Sequence, residues 1–132
     1  MHELSIAQNI VEIVKLNVPP EELSNVSRIK LKIGEISGVV VDSLEFGFHA
    51  ITSDTELEHA ELGVEKIPFI FKCNSCGKKS TNEFGITVCS ECGETDTNII
   101  SGLEMQIVEV ELKEEAPSIL PSNQRVKDEV ID

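Results

Sequence analysis

Between residues 4 and 17 apolar side chains recur with the period of a helix. Leu4, Ala7, Val11 and Val14, flanked by Ile6, Ile10 and Ile13, form a stripe broad enough to bury one whole face. Pro19-Pro20 stops that helix. Ser5 with Gln8 three positions later reads as a capping box, so the regular helix is expected to start just after residue 5 and to leave Met1, His2 and Glu3 ahead of it. From Ser27 to Gly34 the period changes to two, with Ile29, Leu31 and Ile33 on one face and Arg28, Lys30 and Lys32 on the other, the pattern of a half-buried strand. Residues 41–52 return to helical spacing through Leu44, Phe48 and Ile51, with Gly47 as a weak point. Leu62 to Phe71 is strand-like. Leu103 to Leu112 alternates with one change of phase between Ile107 and Val108, as a bulge or two-sided burial gives.

Two stretches break these patterns. Residues 72–100 have little periodicity and many Gly, Ser, Thr and Asn, so burial alone is a poor source of order there. After Leu112 the run Glu114-Glu115, Pro117 and Pro121 to a polar end predicts a flexible acidic tail over 114–132.

At 132 residues, with 40% hydrophobic and 27% charged positions, the chain suits one or two small globular domains. Twenty-four acidic residues against eleven basic ones give a formal charge of −13. That sign disfavours nucleic acid, and five Phe with no Trp or Tyr leave few platforms for stacking bases. No apolar run approaches the roughly 20 residues of a membrane span. Met1-His2-Glu3 opens without a basic or apolar leader, which places the chain in the cytoplasm as an expectation.

All four cysteines sit in two copies of one pattern, Cys73-Asn-Ser-Cys76-Gly77 and Cys89-Ser-Glu-Cys92-Gly93, twelve residues apart. Each Cys-x-x-Cys turn brings two thiolates to one point and the following Gly lets the backbone double back. Two such turns complete a tetrahedral S4 site with no open position. This suits a structural Zn(II). Iron in a rubredoxin-like site has the same geometry, and disulfides are the remaining alternative. Lys72, Lys78 and Lys79 are outweighed by Glu83, Glu91, Glu94 and Asp96, so the segment reads as a protein-interaction unit.

His2 carries a different chemistry. A free α-amine at Met1, a backbone amide and an imidazole at position 2 can chelate one ion in a plane of nitrogens, an arrangement that suits Ni(II) or Cu(II). Glu3 can add its amide or its carboxylate. Both the amine and the imidazole must lose protons first. His49, near Asp42 and Glu45 on the second helix, and His59 in a polar run read as solvated surface residues. No nucleophile with its base and no Gly-rich phosphate loop is evident, so no catalysis is expected.

Met1-His2-Glu3-Leu4-Ser5-Ile6, Lys32-Ile33-Gly34-Glu35-Ile36-Ser37-Gly38-Val39 with Ser43-Leu44-Glu45-Phe46, the paired cysteine turns, and Ser101-Gly102-Leu103-Glu104-Met105 together resemble the HypA/HybF family of hydrogenase nickel-incorporation proteins. The resemblance covers about residues 1–113. It implies an α+β fold, with a small mixed sheet and two helices formed by 1–70 and 101–113 as the nickel-binding domain, and a zinc ribbon inserted at 71–100. His2, with the Met1 amine and Glu3, matches the family's nickel ligands. Cys73, Cys76, Cys89 and Cys92 match its zinc ligands. The implied function is transient binding of Ni(II) and its delivery to the [NiFe]-hydrogenase large-subunit precursor, with a maturation GTPase as partner and urease maturation proteins served in some members. Val40 stands where some relatives have an acidic residue, and Gly77 and Gly93 where some have His beside the cysteine pairs. The competing expectation is a zinc-ribbon adaptor without a nickel role.

Overall fold

A computed structural model describes residues 3–113, 123–124 and 129–131. Helix α1 spans Glu3–Asn17 and buries Ile6, Ala7, Ile10 and Val14. After a 3-10 turn at Pro20–Asn25 comes β1 (Val26–Gly34), then α2 (Val41–Thr52) and β2 (Glu61–Ile67). Three short strands follow: β3 (Ile70–Cys73), β4 (Lys79–Ser80) and β5 (Thr97–Ser101). The chain then returns in β6 (Met105–Leu112) and ends with β7 (Asn123–Gln124) and β8 (Glu129–Val130).

The strands form two sheets. In the larger, β1 pairs parallel with β2 and antiparallel with β6, and β7 and β8 pair with the far edge of β6. A parallel neighbour needs a crossover, and α2 supplies it. The smaller sheet has the order β4-β3-β5 and is inserted between β2 and β6. The fold is therefore α+β, a mixed sheet with two helices and an inserted cysteine-bearing unit.

Ile29, Leu31 and Ile33 of β1 join the buried faces of both helices and Ile107 and Val110 of β6 in one apolar cluster. On the opposite face Lys30 bridges Glu109 (3.2 Å) and Glu111 (2.9 Å) of β6, and Arg28 approaches Glu61 of β2. Gly47 of α2 faces α1, since a Cβ there would lie 3.6 Å from Leu4 Cδ1.

Several sequence expectations are corrected. Helix α1 already includes Glu3 and does not begin after residue 5: Ser5 is an exposed helical residue, and this part of the helix is tied to α2 through Glu3 and Leu4. The strand expected over Leu62–Phe71 breaks at Pro68-Phe69. Pro68 has no N–H to give a ladder, and the Phe69 N–H donates to the Glu35 carboxylate at 2.8 Å. The phase change in β6 is a bulge: Lys30 faces Glu109 while Leu31 faces Ile107, leaving Val108 without an opposite residue. Part of the segment read as a tail is not a tail, because β7 and β8 hydrogen-bond to β6 and Ile131 is buried in the main core. The other positions of 114–132 lie outside the described residues.

The inserted unit joins the main sheet through a backbone crossing. The Gly34 N–H donates to Glu104 O at 2.8 Å and the Ile36 N–H to Gly102 O at 2.9 Å. A Cβ on Gly34 would stand 2.0 Å from the carbonyl of Gly102, and a Cβ on Gly102 would stand 2.8 Å from Phe69 Cα, at a φ of +118° that side chains avoid. Backbone on both sides leaves nothing flexible to yield. Gly34→Ala is expected to destabilise the fold by about 3 kcal/mol or more, read as a lowered urea midpoint, whereas Gly38→Ala, with open space around it, should lose only about 1 kcal/mol from backbone strain.

Candidate metal centre

The two Cys-x-x-Cys turns are near copies of each other. In the first, the Gly77 N–H donates to Cys73 O at 2.9 Å and the Cys73 N–H to Lys78 O at 2.9 Å. In the second, Gly93 donates to Cys89 O at 3.0 Å and Cys89 to Glu94 O at 2.9 Å. Gly77 and Gly93 both take a positive φ, 78° and 74°, the conformation that lets the chain fold back after the second thiol. Strand β3 delivers Cys73 and is held on one side by β4 and on the other by β5.

All four Sγ atoms lie within 4.8 Å of one another. Cys73 to Cys92 and Cys76 to Cys89 are each 3.6 Å, and all four cysteines are free. These separations exclude disulfides, whose sulfurs touch at about 2.05 Å. They match the edge of about 3.8 Å expected of a tetrahedron of thiolates about 2.3 Å from one ion. The donor set therefore fits a tetrahedral thiophilic metal. Cys73 and Cys89 are buried, whereas Cys76 and Cys92 face the surface.

Left to protons alone, the four thiols divide. The Cys76 N–H, with help from that of Ser75, holds Cys73 below the ordinary cysteine range. The N–H groups of Cys92 and Glu91 take Cys89 down to about 6. At Cys76 the Lys78 N–H acts downward, but sharing with Cys89 and burial leave the thiol raised. At Cys92 the Glu94 N–H is likewise overridden by Cys73, burial and Cys89, and the thiol is pushed up to about 12. A dication removes this division, because its charge favours every thiolate at once.

Outside the sulfurs, Lys78 and Glu91 bridge the two turns at 2.6 Å, which raises the Lys78 ammonium and lowers the Glu91 carboxyl. The pair is exposed, so it orients more than it stabilises. Sequence reasoning missed the amides. Asn74 donates its N–H to Asp96 O at 2.9 Å and its Nδ2 to Asp96 Oδ1 at 3.0 Å, tying the first turn to the approach to β5. Asn82 accepts from the N–H groups of Phe84 and Ile86 and donates to Ile86 O, closing the loop before the second turn. Such residues register in sequence only as loop-forming polarity; an Asn two residues before the bonded N–H is the available signal.

The other expected ligands are elsewhere. Met1 and His2 lie outside the described residues. Glu3 is half-buried in the first turn of α1, and its Oε2 accepts the Val40 N–H at 3.2 Å, just ahead of α2. Asp42, His49 and His59 are exposed, as expected of the two histidines; His49 meets the ring of Phe48 edge-on at 6.0 Å.

A family model described as "Hydrogenase/urease nickel incorporation, metallochaperone, hypA" matches residues 1–112. The chain belongs to the HypA family. Two relatives named hydrogenase maturation factor HypA, from Chlorobium phaeobacteroides and Geobacter metallireducens, are 35% and 39% identical over 113 residues. Each alignment takes in 86% of this chain and all of the relative. Among solved structures, a solution structure of HypA protein aligns with TM-score 0.61 at 20% identity, covering 85% of this chain and 96% of the other. The solution structure of the Ni metallochaperone HypA from Helicobacter pylori aligns with TM-score 0.60 at 20% identity, covering 87% and 100%. These likenesses support the fold. The family is one of metallochaperones, which carry an ion rather than turn over a substrate. Among the described residues no helix is long and apolar enough to cross a membrane.

Metal uptake must displace the protons held by the two raised thiols. Loading at about pH 7.5 is therefore expected to release at least two protons, measurable as buffer-dependent heat in calorimetry. As pH falls, protons return first to Cys92 and Cys76 and last to Cys89 near 6, so affinity falls with acid, and a chromogenic chelator should strip the ion faster below that pH than above it.

Proposed function

We propose that the protein binds Ni(II) at its amino terminus through the Met1 amine, the imidazole of His2 and Glu3, and hands it to the precursor of the [NiFe]-hydrogenase large subunit in concert with a maturation GTPase. The observation that carries this reading is the anchoring of Glu3. Its carboxylate is engaged by the Val40 N–H and the neighbouring Leu4 lies against Gly47 of α2. The first helical turn is thereby fixed to a second element, and the two residues directly before it in sequence are Met1 and His2. With its side chain so occupied, Glu3 serves nickel best through its amide nitrogen. The family match, which begins at residue 1, supports the same assignment. Urease maturation proteins are a second class of recipient within the family description.

Zn(II) is the resident ion proposed for Cys73, Cys76, Cys89 and Cys92. Four thiolates leave no position for substrate, so its role is to order residues 71–100, where few side chains are buried. Structural zinc in comparable small units contributes on the order of 10–16 kcal/mol. Cys73→Ser is expected to lose zinc and the protection of β3, β4 and β5 from amide exchange while the β1 to β6 ladder persists.

Nickel titration by calorimetry and absorption tests the carrier reading, on untagged zinc-loaded protein at about pH 7.5. One site in the unaltered chain, weakened at least tenfold by His2→Ala, is the expected result. Equal binding by both chains, or none by either, would transfer the function to the cysteine-bearing unit as an adaptor.

A further inference from the structure

Strand β6 has two edges, and the second is covered by a piece of chain that the family match does not include. The match stops at residue 112, which is the last residue of β6. The two relatives above are aligned over their whole length within 86% of this chain. Here the sequence continues for twenty residues, and two stretches of it return to β6. Gln124 and Asn123 stand opposite Val110 and Glu111, and Val130 and Glu129 opposite Gln106 and Ile107. The Ile131 N–H then donates to Met105 O at 2.8 Å, and its side chain is only 2% exposed within the main apolar cluster.

The manner of attachment differs from that of a built-in strand. Against β1, β6 makes a ladder of seven residue pairs. Against the C-terminal segment it makes two short pairings out of register with each other, for the segment advances five residues from Gln124 to Glu129 while β6 retreats three from Val110 to Ile107. The mismatch spans Val108, the residue that also bulges away from β1. A few backbone hydrogen bonds with one aliphatic anchor is how an extended peptide adds to a sheet edge. A bare β6, rich in Ile and Val, would otherwise invite indiscriminate pairing.

We propose that the β6 edge and the core socket filled by Ile131 form a strand-accepting peptide site, kept filled in this protein by its own residues 123–124 and 129–131. The ligand class is an extended peptide with an aliphatic residue directly after its paired stretch. The site is independent of the nickel reading.

The test uses a fluorescently labelled synthetic peptide of residues 121–132 and the full zinc-loaded chain carrying Ile131→Asp, followed by anisotropy. The variant is expected to bind the peptide saturably and the unaltered chain at least tenfold more weakly, because its own segment competes. A peptide carrying the same Ile131→Asp change should lose at least tenfold in affinity for the variant. If the variant proves unfolded by circular dichroism, a chain ending at Lys113 takes its place with the same expectations. A folded variant or shortened chain that ignores the peptide, or an unaltered chain that binds it equally well, overturns the proposal.

Discussion

The meeting of Gly34 with Gly102 is the constraint from which the rest of the arrangement follows. The Gly102 carbonyl leaves no room for a methyl group at Gly34, and Phe69 leaves none at Gly102. The hydrogen bonds from Gly34 to Glu104 and from Ile36 to Gly102 are made there, and Glu35 reaches across to the Phe69 N–H at the point where β2 gives way to β3. The helix-bearing sheet and the cysteine-bearing sheet are thus joined by main-chain contacts, not by a tether. Phe69 and Phe71, stacked at 5.4 Å and both buried, form the apolar side of that joint. The link costs sequence freedom at two glycines and gives the cysteine unit a fixed root.

The unit so rooted has little apolar support of its own. Phe84, Ile86, Val88, Ile99 and Ile100 are all exposed, and the buried groups nearest the turns are two of the thiols themselves. Order there comes from three sources: the shared donor set, the matched pair of glycine turns, and the amide contacts of Asn74 and Asn82. This division of labour fits a chain with one substantial core and a metal-dependent annex.

Much of this is legible in the sequence where periodicity is strong. The stripe of α1, the alternation of β1 and even the bulge at Val108 follow from which positions are apolar. The four cysteines announce their own convergence by spacing. What sequence hides is decided by partners far along the chain. Nothing local says that Glu3 caps the approach to α2 and pulls the helix start ahead of Ser5, or that the Phe69 N–H turns to Glu35 and splits one apolar run into two strands. The returning strands β7 and β8 are likewise hidden, since they are two residues each and sit in a run whose composition reads as polar and charged. The apolar residues there, Ile119, Leu120, Val126, Val130 and Ile131, are scattered and show no strand period.

That α1 already includes Glu3 bears on how loosely the proposed site would hold a cargo ion. The first peptide N–H groups of a helix point toward whatever precedes it, and together they amount to about half a positive charge. On the proposed reading, a dication held by Met1 and His2 would sit against that field, which would weaken its hold without altering its ligands. The Glu3 carboxylate, turned toward Val40, already has a partner in the approach to α2. If the proposed site holds, the end of that dipole would favour letting the ion go.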